Sequence, residues 1–231
     1  MDWLFVGMIG LCMGSFVAVL FVRIPQSQSL FTRSHCVTCG TQLCFYHLVP
    51  LLSFAFLRGK CAFCHQNISP LYPILEFFGM SISLALFWRF GFSSEYVILL
   101  MLFAVMLAAS AMDWQYEHVS GMLLFCGLIL AYFYLLYIDS IYAILHSLDV
   151  VGAIALLSVV LYSFTGRKSI GDGDIVAIAL SSAILGSQYN YLALFLASSM
   201  ALLSLLSVQR QRIAFIPFLS IATFMVLFWI P

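Results

Sequence analysis

Long apolar runs and short polar breaks alternate along this chain. Eight runs stand out, at about Leu4–Val22, Leu71–Trp88, Tyr96–Met112, Val119–Ile138, Leu148–Phe164, Asp174–Ser187, Tyr191–Val208 and Ile213–Ile230. Most approach the ~20 residues that a helix needs to cross a bilayer. Lipid offers no partner to backbone N–H and C=O groups, so spans in series must satisfy their own backbone as helices. The pattern predicts an all-α membrane protein, a polytopic bundle of about eight transmembrane helices. The first run begins with Asp2 rather than a basic segment and runs on into Arg23, so it reads as a retained helix and not a cleaved signal.

One polar stretch is long enough to be a small domain, Ile24 to about Pro70. No repeat or low-complexity segment is evident. The predicted organisation is a first transmembrane helix over 1–23, a cytoplasmic insertion over 24–70 between the first and second helices, and a transmembrane bundle over 71–231.

Composition agrees with the pattern. Hydrophobic residues make up 64% and charged residues 8%, and the mean hydropathy is +1.11, which excludes an ordinary soluble domain. A formal net charge of +0 supplies no bulk attraction for nucleic acid. Where the few charges fall says more than their sum. With the N-terminus outside, Arg23, Arg33, Arg58, Lys60, Arg167, Lys168, Arg210 and Arg212 share the cytoplasmic side, and only Arg89 falls outside. That is a positive-inside arrangement. An even number of spans then returns the C-terminus to the outer side. The same threading puts Glu76, Asp113, Glu117, Asp172 and Asp174 on the cytoplasmic side.

The insertion carries Cys36-Val-Thr-Cys39-Gly40 and Cys61-Ala-Phe-Cys64-His65, two Cys-x2-Cys pairs with 21 residues between them. Each pair places two thiolates at one corner region of a tetrahedron, and Gly40 suits the tight turn. Four soft ligands from two knuckles predict a closed structural zinc site at Cys36, Cys39, Cys61 and Cys64. A reducing cytoplasm argues against two disulfides instead. Nothing favours Cys44, His35 or His65 as replacement ligands. Cys12 and Cys126 lie inside apolar runs and read as buried packing residues. Gly10-x3-Gly14 offers a surface for close helix packing.

Acids at or within apolar runs are costly and usually functional. Asp113 closes the run Tyr96–Met112, and Asp174 ends Gly171-Asp172-Gly173-Asp174. The apolar stretch after it, Ile175–Leu185, spans only about 16 Å as a helix, so the helix is expected to reach back through Asp174. Two carboxylates from two helices can share a proton and activate water against an amide. Other readings stand beside this one. Asp174 also suits a helix N-cap, Asp172 reads as solvated or capping, and Glu117, four residues after Asp113, makes a rival pair with it on one helical face. Glu76 falls inside the second span. A buried acid there suits a ligand or cofactor contact, or a hydrogen bond to a neighbouring helix.

Taken together, these blocks resemble the bacterial type IV prepilin leader peptidases. The resemblance runs from Gly14-Ser15-Phe16 and Arg23-Ile24-Pro25 through the two cysteine pairs, Val49-Pro50-Leu51-Leu52-Ser53, Leu57-Arg58-Gly59-Lys60, Tyr72-Pro73 and Glu76 to Asp113, Gly171-x-Gly173-Asp174 and Ile216-Pro217-Phe218. Three places depart from the family pattern: Ala18 stands near a usual Asn, Val119-Ser120-Gly121 replaces an Ile/Leu-Pro-Asp, and Val176 replaces a usual Lys. The resemblance implies an aspartyl protease of the GxGD type with Asp113 and Asp174 as its catalytic pair. It implies prepilin and pseudopilin substrates, cut after a glycine at the cytoplasmic face of the bacterial inner membrane. In the longer members with the cysteine-rich insertion it also implies methylation of the new N-terminus with S-adenosylmethionine. Two other classes remain open to the residues alone: a transporter relaying protons through intramembrane acids, and a catalytically silent assembly protein docking through its knuckles.

Overall fold

A computed structural model describes residues 1–138, 141–166, 170–208 and 213–230. Its regular elements are helices: α1 (Asp2–Arg23), α2 (Leu52–Phe56), α3 (Leu71–Phe90), α4 (Ser94–Tyr116), α5 (Gly121–Tyr137), α6 (Ile141–Thr165), α7 (Asp172–Val208) and α8 (Ile216–Trp229). Among the described residues, α1, α3, α4 and α7 are long and apolar enough to cross a membrane, and α5, α8 and the Leu148–Phe164 part of α6 are shorter apolar helices. The chain is a multi-pass membrane protein. Arg167, Lys168, Arg210 and Arg212, half of the predicted cytoplasmic cations, lie outside the described residues.

The chain divides into two compact units, Met1–Phe92 and Ser93–Pro231. In the first, α1 and α3 meet backbone to backbone. A Cβ placed on Gly10 would come 2.6 Å from the Gly79 carbonyl oxygen, and one on Gly14 would come 2.5 Å from that of Leu75. Only glycine permits that approach, so the Gly10-x3-Gly14 pair is used for close helix packing. The Ser83 hydroxyl adds a buried bond to the Val6 carbonyl at 2.9 Å. Where α1 ends, the Arg23 guanidinium folds the following turn onto itself: Nη1 donates to the carbonyls of Ser29, Leu30 and Thr32 at 3.1, 3.0 and 2.7 Å.

The second unit is centred on α4, whose Leu99, Leu102, Phe103, Met106 and Met112 are fully buried. Ser93 starts the helix by accepting the Tyr96 N–H at 3.1 Å. Hydroxyl pairs then fasten the neighbours, as expected where lipid gives no hydrophobic drive between helices. Ser110 on α4 lies 2.8 Å from Ser220 on α8. The sixth and seventh apolar runs are joined in α7, but Gly186 leaves the helical region at φ 73, ψ 167. Ser181 Oγ donates to Asn190 Oδ1 at 2.6 Å. In a straight helix nine residues advance about 13.5 Å, too far for that bond, so the chain turns sharply at Gly186 and the two runs are separate arms. Thr223 of α8 lies 2.7 Å from the same Ser181 hydroxyl.

One expectation fails. Cys12 and Cys126 are exposed, not buried. Inside a membrane an apolar run is apolar on its lipid face as well as its packed face, so hydrophobic context does not report burial.

Candidate active site and metal centre

Asp113 sits in the last turn of α4, half-buried. Its Oδ2 accepts the N–H of Ile216, the first residue of α8, at 3.1 Å. A helix N-terminus has unpaired N–H groups and a positive dipole end, so it holds a carboxylate well. Pro217 in the first turn removes one of those donors without loss. Through this bond Asp113 ties the end of α4 to the start of α8.

Asp174 lies in the first turn of α7, also half-buried. The helix does reach back through it, beginning at Asp172. Asp174 is therefore not the N-cap but the third helical residue, and its Oδ2 accepts the N–H of Gly171, just before the helix, at 3.3 Å. This is one half of a capping box. The two glycines of the motif have different duties. A Cβ on Gly171 would lie 3.0 Å from Asp174 Oδ2, whereas one on Gly173 would meet only Leu124 at 3.7 Å and Val119 at 4.0 Å. Gly171 makes room for the carboxylate; Gly173 lies in ordinary contact distance of its surroundings.

The charge of Asp113 acts on Asp174, so the two carboxylates lie in electrostatic reach across the α4 and α7 ends. Glu117 is placed differently. The helix stops at Tyr116, and Glu117 caps it in the left-handed conformation at φ 51, fully outside the helical face. It is exposed, and its N–H closes the helix on the Asp113 carbonyl at 3.0 Å. Its charge also reaches Asp113, but the four-residue spacing no longer places the two side chains on one helical face. Asp172 is exposed in the first turn of α7.

In the first unit, the Sγ atoms of Cys36, Cys39, Cys61 and Cys64 all lie within 4.8 Å of one another. A tetrahedral metal with bonds of ~2.3 Å to sulfur sets its ligands about 3.8 Å apart. The Cys36–Cys64 separation is 3.9 Å, and all seven cysteines are free thiols. The four donors suit a closed metal site. Cys44, His35 and His65 are not among them.

The knuckles repeat one another, which residue types alone did not reveal. Cys36 N–H bonds the Thr41 carbonyl and Gly40 N–H the Cys36 carbonyl; Cys61 N–H bonds the Gln66 carbonyl and His65 N–H the Cys61 carbonyl. The pairs His35–Gln42 and Lys60–Asn67 bridge the two loops identically. Gly40 and His65 share the left-handed corner, at φ 70 and φ 56. With a glycine in one copy and a histidine in the other, sequence similarity is hidden.

Local donors prepare three of the thiols. Backbone N–H groups of Cys39 and Thr38 draw Cys36 below the usual thiol range, contact with the Thr41 hydroxyl does so for Cys39, and the Cys64 and Phe63 N–H groups do so for Cys61. For Cys64 the Gln66 backbone pulls downward, but desolvation and the three neighbouring thiols push it up to about 11.

Glu76 is buried on α3, and its partners come from both the insertion and the neighbouring helix α1. Its Oε2 accepts the N–H of Leu51 in the insertion at 2.8 Å, and the Ser15 hydroxyl also bonds it. Arg23, His47 and the strained Leu51 beside it were not singled out from the residues; a charged residue ending an apolar run looks like a membrane boundary whether it is buried or not.

Comparison with known proteins divides the chain as the structure does. The family described as bacterial peptidase A24 N-terminal domain matches residues 8–90, and the type IV leader peptidase family matches residues 100–206. A protein of Stutzerimonas stutzeri named prepilin leader peptidase/N-methyltransferase is 31% identical over 96% of this chain and 88% of its own. Proteins of the same name from Pseudomonas putida (29% identical; 96% and 88% covered) and Bacillus subtilis strain 168 (30% identical; 90% and 86%) are also similar. No solved structure matches the chain.

Proposed function

The chain belongs to the type IV leader peptidase family, and from that premise we propose that it cleaves prepilins and pseudopilins with Asp113 and Asp174 as the catalytic pair. What supports this reading is that the charge of Asp113, at the end of α4, acts on Asp174, at the start of α7, and that both carboxylates are only half-buried. Two neighbouring carboxylates share one proton. The ionised member takes a proton from water, which attacks the scissile carbonyl. The protonated member donates a hydrogen bond to that carbonyl oxygen and then helps protonate the leaving amine. The proton on the pair belongs to both, and its titration has two shared steps.

The Ile216 and Gly171 N–H groups hold one oxygen of each carboxylate, which orients the pair; no cationic partner of either is found among the described residues. The basic leader of the substrate stays with the enzyme's own cations in the cytoplasm of the bacterial inner membrane, by the rule that orients the spans. Both termini of the chain then lie on the periplasmic side. Cys36, Cys39, Cys61 and Cys64 would hold zinc, which would fold the insertion around them. The relatives' shared name includes N-methyltransferase, which supports a second reaction here, N-methylation of the freshly exposed amine. S-adenosylmethionine, when bound, supplies the methyl group for that second reaction.

The test is cleavage of a prepilin by Asp113→Asn and Asp174→Asn in purified protein. Each is expected to lose about 10³-fold in rate while remaining folded and monodisperse. Full activity in either variant ends the assignment.

A further inference from the structure

Between α1, α3 and the cysteine-rich insertion, inside the first unit, lies a cavity of about 370 Å³. That is the size of a small-molecule site. Two charged groups line it. Glu76 is 9% exposed and Arg23 is 6% exposed. Buried charges are normally paired with each other, yet these are not. Among the described residues Glu76 takes only neutral donors, the Leu51 N–H at 2.8 Å and the Ser15 hydroxyl. Arg23 spends Nη1 on three carbonyls, which leaves the Nε and Nη2 side of its fork for another acceptor.

Two further observations mark the cavity as built for a ligand. His47 lines it, and its Nδ1 is buried without a hydrogen-bond partner. Leu51, which donates to Glu76, holds φ 59, a strained setting for a non-glycine residue that concentrates at functional sites. Val19, Val22 and Phe54 supply an apolar wall.

A buried anion and a buried cation, kept apart on the walls of one cavity, suit a zwitterion: an α-amino acid whose body carries a flat ring. We propose that this cavity binds S-adenosylmethionine, with Glu76 taking its α-ammonium and Arg23 its carboxylate, while the nucleoside lies against Val19, Val22 and Phe54. The assignment rests on the N-methyltransferase reading above and names the place where the donor is held. The insertion forms part of the wall through Cys36 and Cys61, so the metal knuckles shape the binding site.

Equilibrium dialysis with purified, zinc-loaded protein tests it, using S-adenosylmethionine, S-adenosylhomocysteine and 5′-methylthioadenosine, which lacks the amino-acid end. Wild type is expected to hold both amino-acid-bearing ligands at least about tenfold tighter than methylthioadenosine, as charge-assisted bonds require. Glu76→Gln is expected to erase that margin and leave methylthioadenosine binding unchanged. Glu76→Gln with wild-type affinity for S-adenosylmethionine overturns the proposal. Should that variant not fold, wild type decides alone: equal affinity for S-adenosylmethionine and methylthioadenosine overturns it too. If wild type methylates cleaved prepilin but Glu76→Gln keeps the same KM for the donor, the cavity assignment falls and the N-methylation reading stands. If wild type cleaves but neither methylates nor binds the donor, both fall.

Discussion

The two units treat the same chemical pairing, a carboxylate on a backbone N–H, in opposite ways. In Met1–Phe92, Glu76 accepts the Leu51 N–H from within α3 and is almost wholly buried. In Ser93–Pro231, Asp113 and Asp174 accept the Ile216 and Gly171 N–H groups at helix ends and stay half-exposed. Glu76 is covered by α1 and the insertion that pack against α3, so only something that enters the cavity can reach it. A carboxylate at a helix end is held by free N–H groups and keeps a face open to a polypeptide. The first arrangement suits a small ligand and the second an extended backbone. Scaffolding differs as well: the first unit packs two helices through glycines and shapes its polar loop around four thiols, whereas the second relies on hydroxyl pairs between helices.

Substitution at the pair gives the largest effect. Asp174→Asn keeps the acceptor for Gly171 but removes the ionisable group, so prepilin cleavage drops about 10³-fold with an unchanged melting curve. A rate within tenfold of wild type would erase the distinction between the two units' acids.

Metal removal comes next. Cys61→Ser, or a strong chelator, is expected to lower bound zinc from about one per chain to nearly none and open the segment between α1 and α3 to proteases. Loading has a pH sign. Cys64, pushed up to about 11, must release its proton to bind metal, so zinc affinity rises with pH across the neutral range. Zinc binding that is flat from acid to alkaline pH, measured by competition with a chromophoric chelator, would exclude thiolate ligation.

A smaller effect separates the motif's glycines. Gly171→Val drives a side chain into the space of Asp174 Oδ2 and should slow cleavage about tenfold by displacing the carboxylate. Gly173→Ala should stay within about twofold, since helix interiors favour alanine. Equal losses at both positions would mean that the motif serves flexibility and not room for Asp174. The smallest change is expected from Glu117→Gln. Exposed and beyond the helix, it should alter the cleavage rate less than about twofold, as surface charges do. A loss rivalling Asp174→Asn would return the role to the Asp113–Glu117 pair.

Particular residues show how far the chain could be understood before folding. Apolar runs and the two cysteine pairs depend on local composition and spacing, so the helices and the metal-suited cluster were both legible. A break between the sixth and seventh runs was visible too, but it occurs at Gly186, inside the end of the sixth run as read from the sequence. Burial was not legible, because lipid and protein interior favour the same residues: Cys12 and Cys126 face outward, and Arg23 faces inward. The repeat of the knuckles was hidden because Gly40 and His65 reach one backbone conformation from different residues.

The amino-acid sequence by itself determined that this is a helical membrane protein with two cysteine knuckles and acids at the ends of its spans, since periodicity, length and ligand spacing act over short distances. Only the tertiary structure decided which acids act on one another. It ended α4 before Glu117, brought Asp113 and Asp174 within electrostatic reach of each other, and set Glu76 and Arg23 around one cavity without pairing them. Those choices come from contacts between distant residues, such as Asp113 and Ile216, 103 positions apart, which no local pattern encodes.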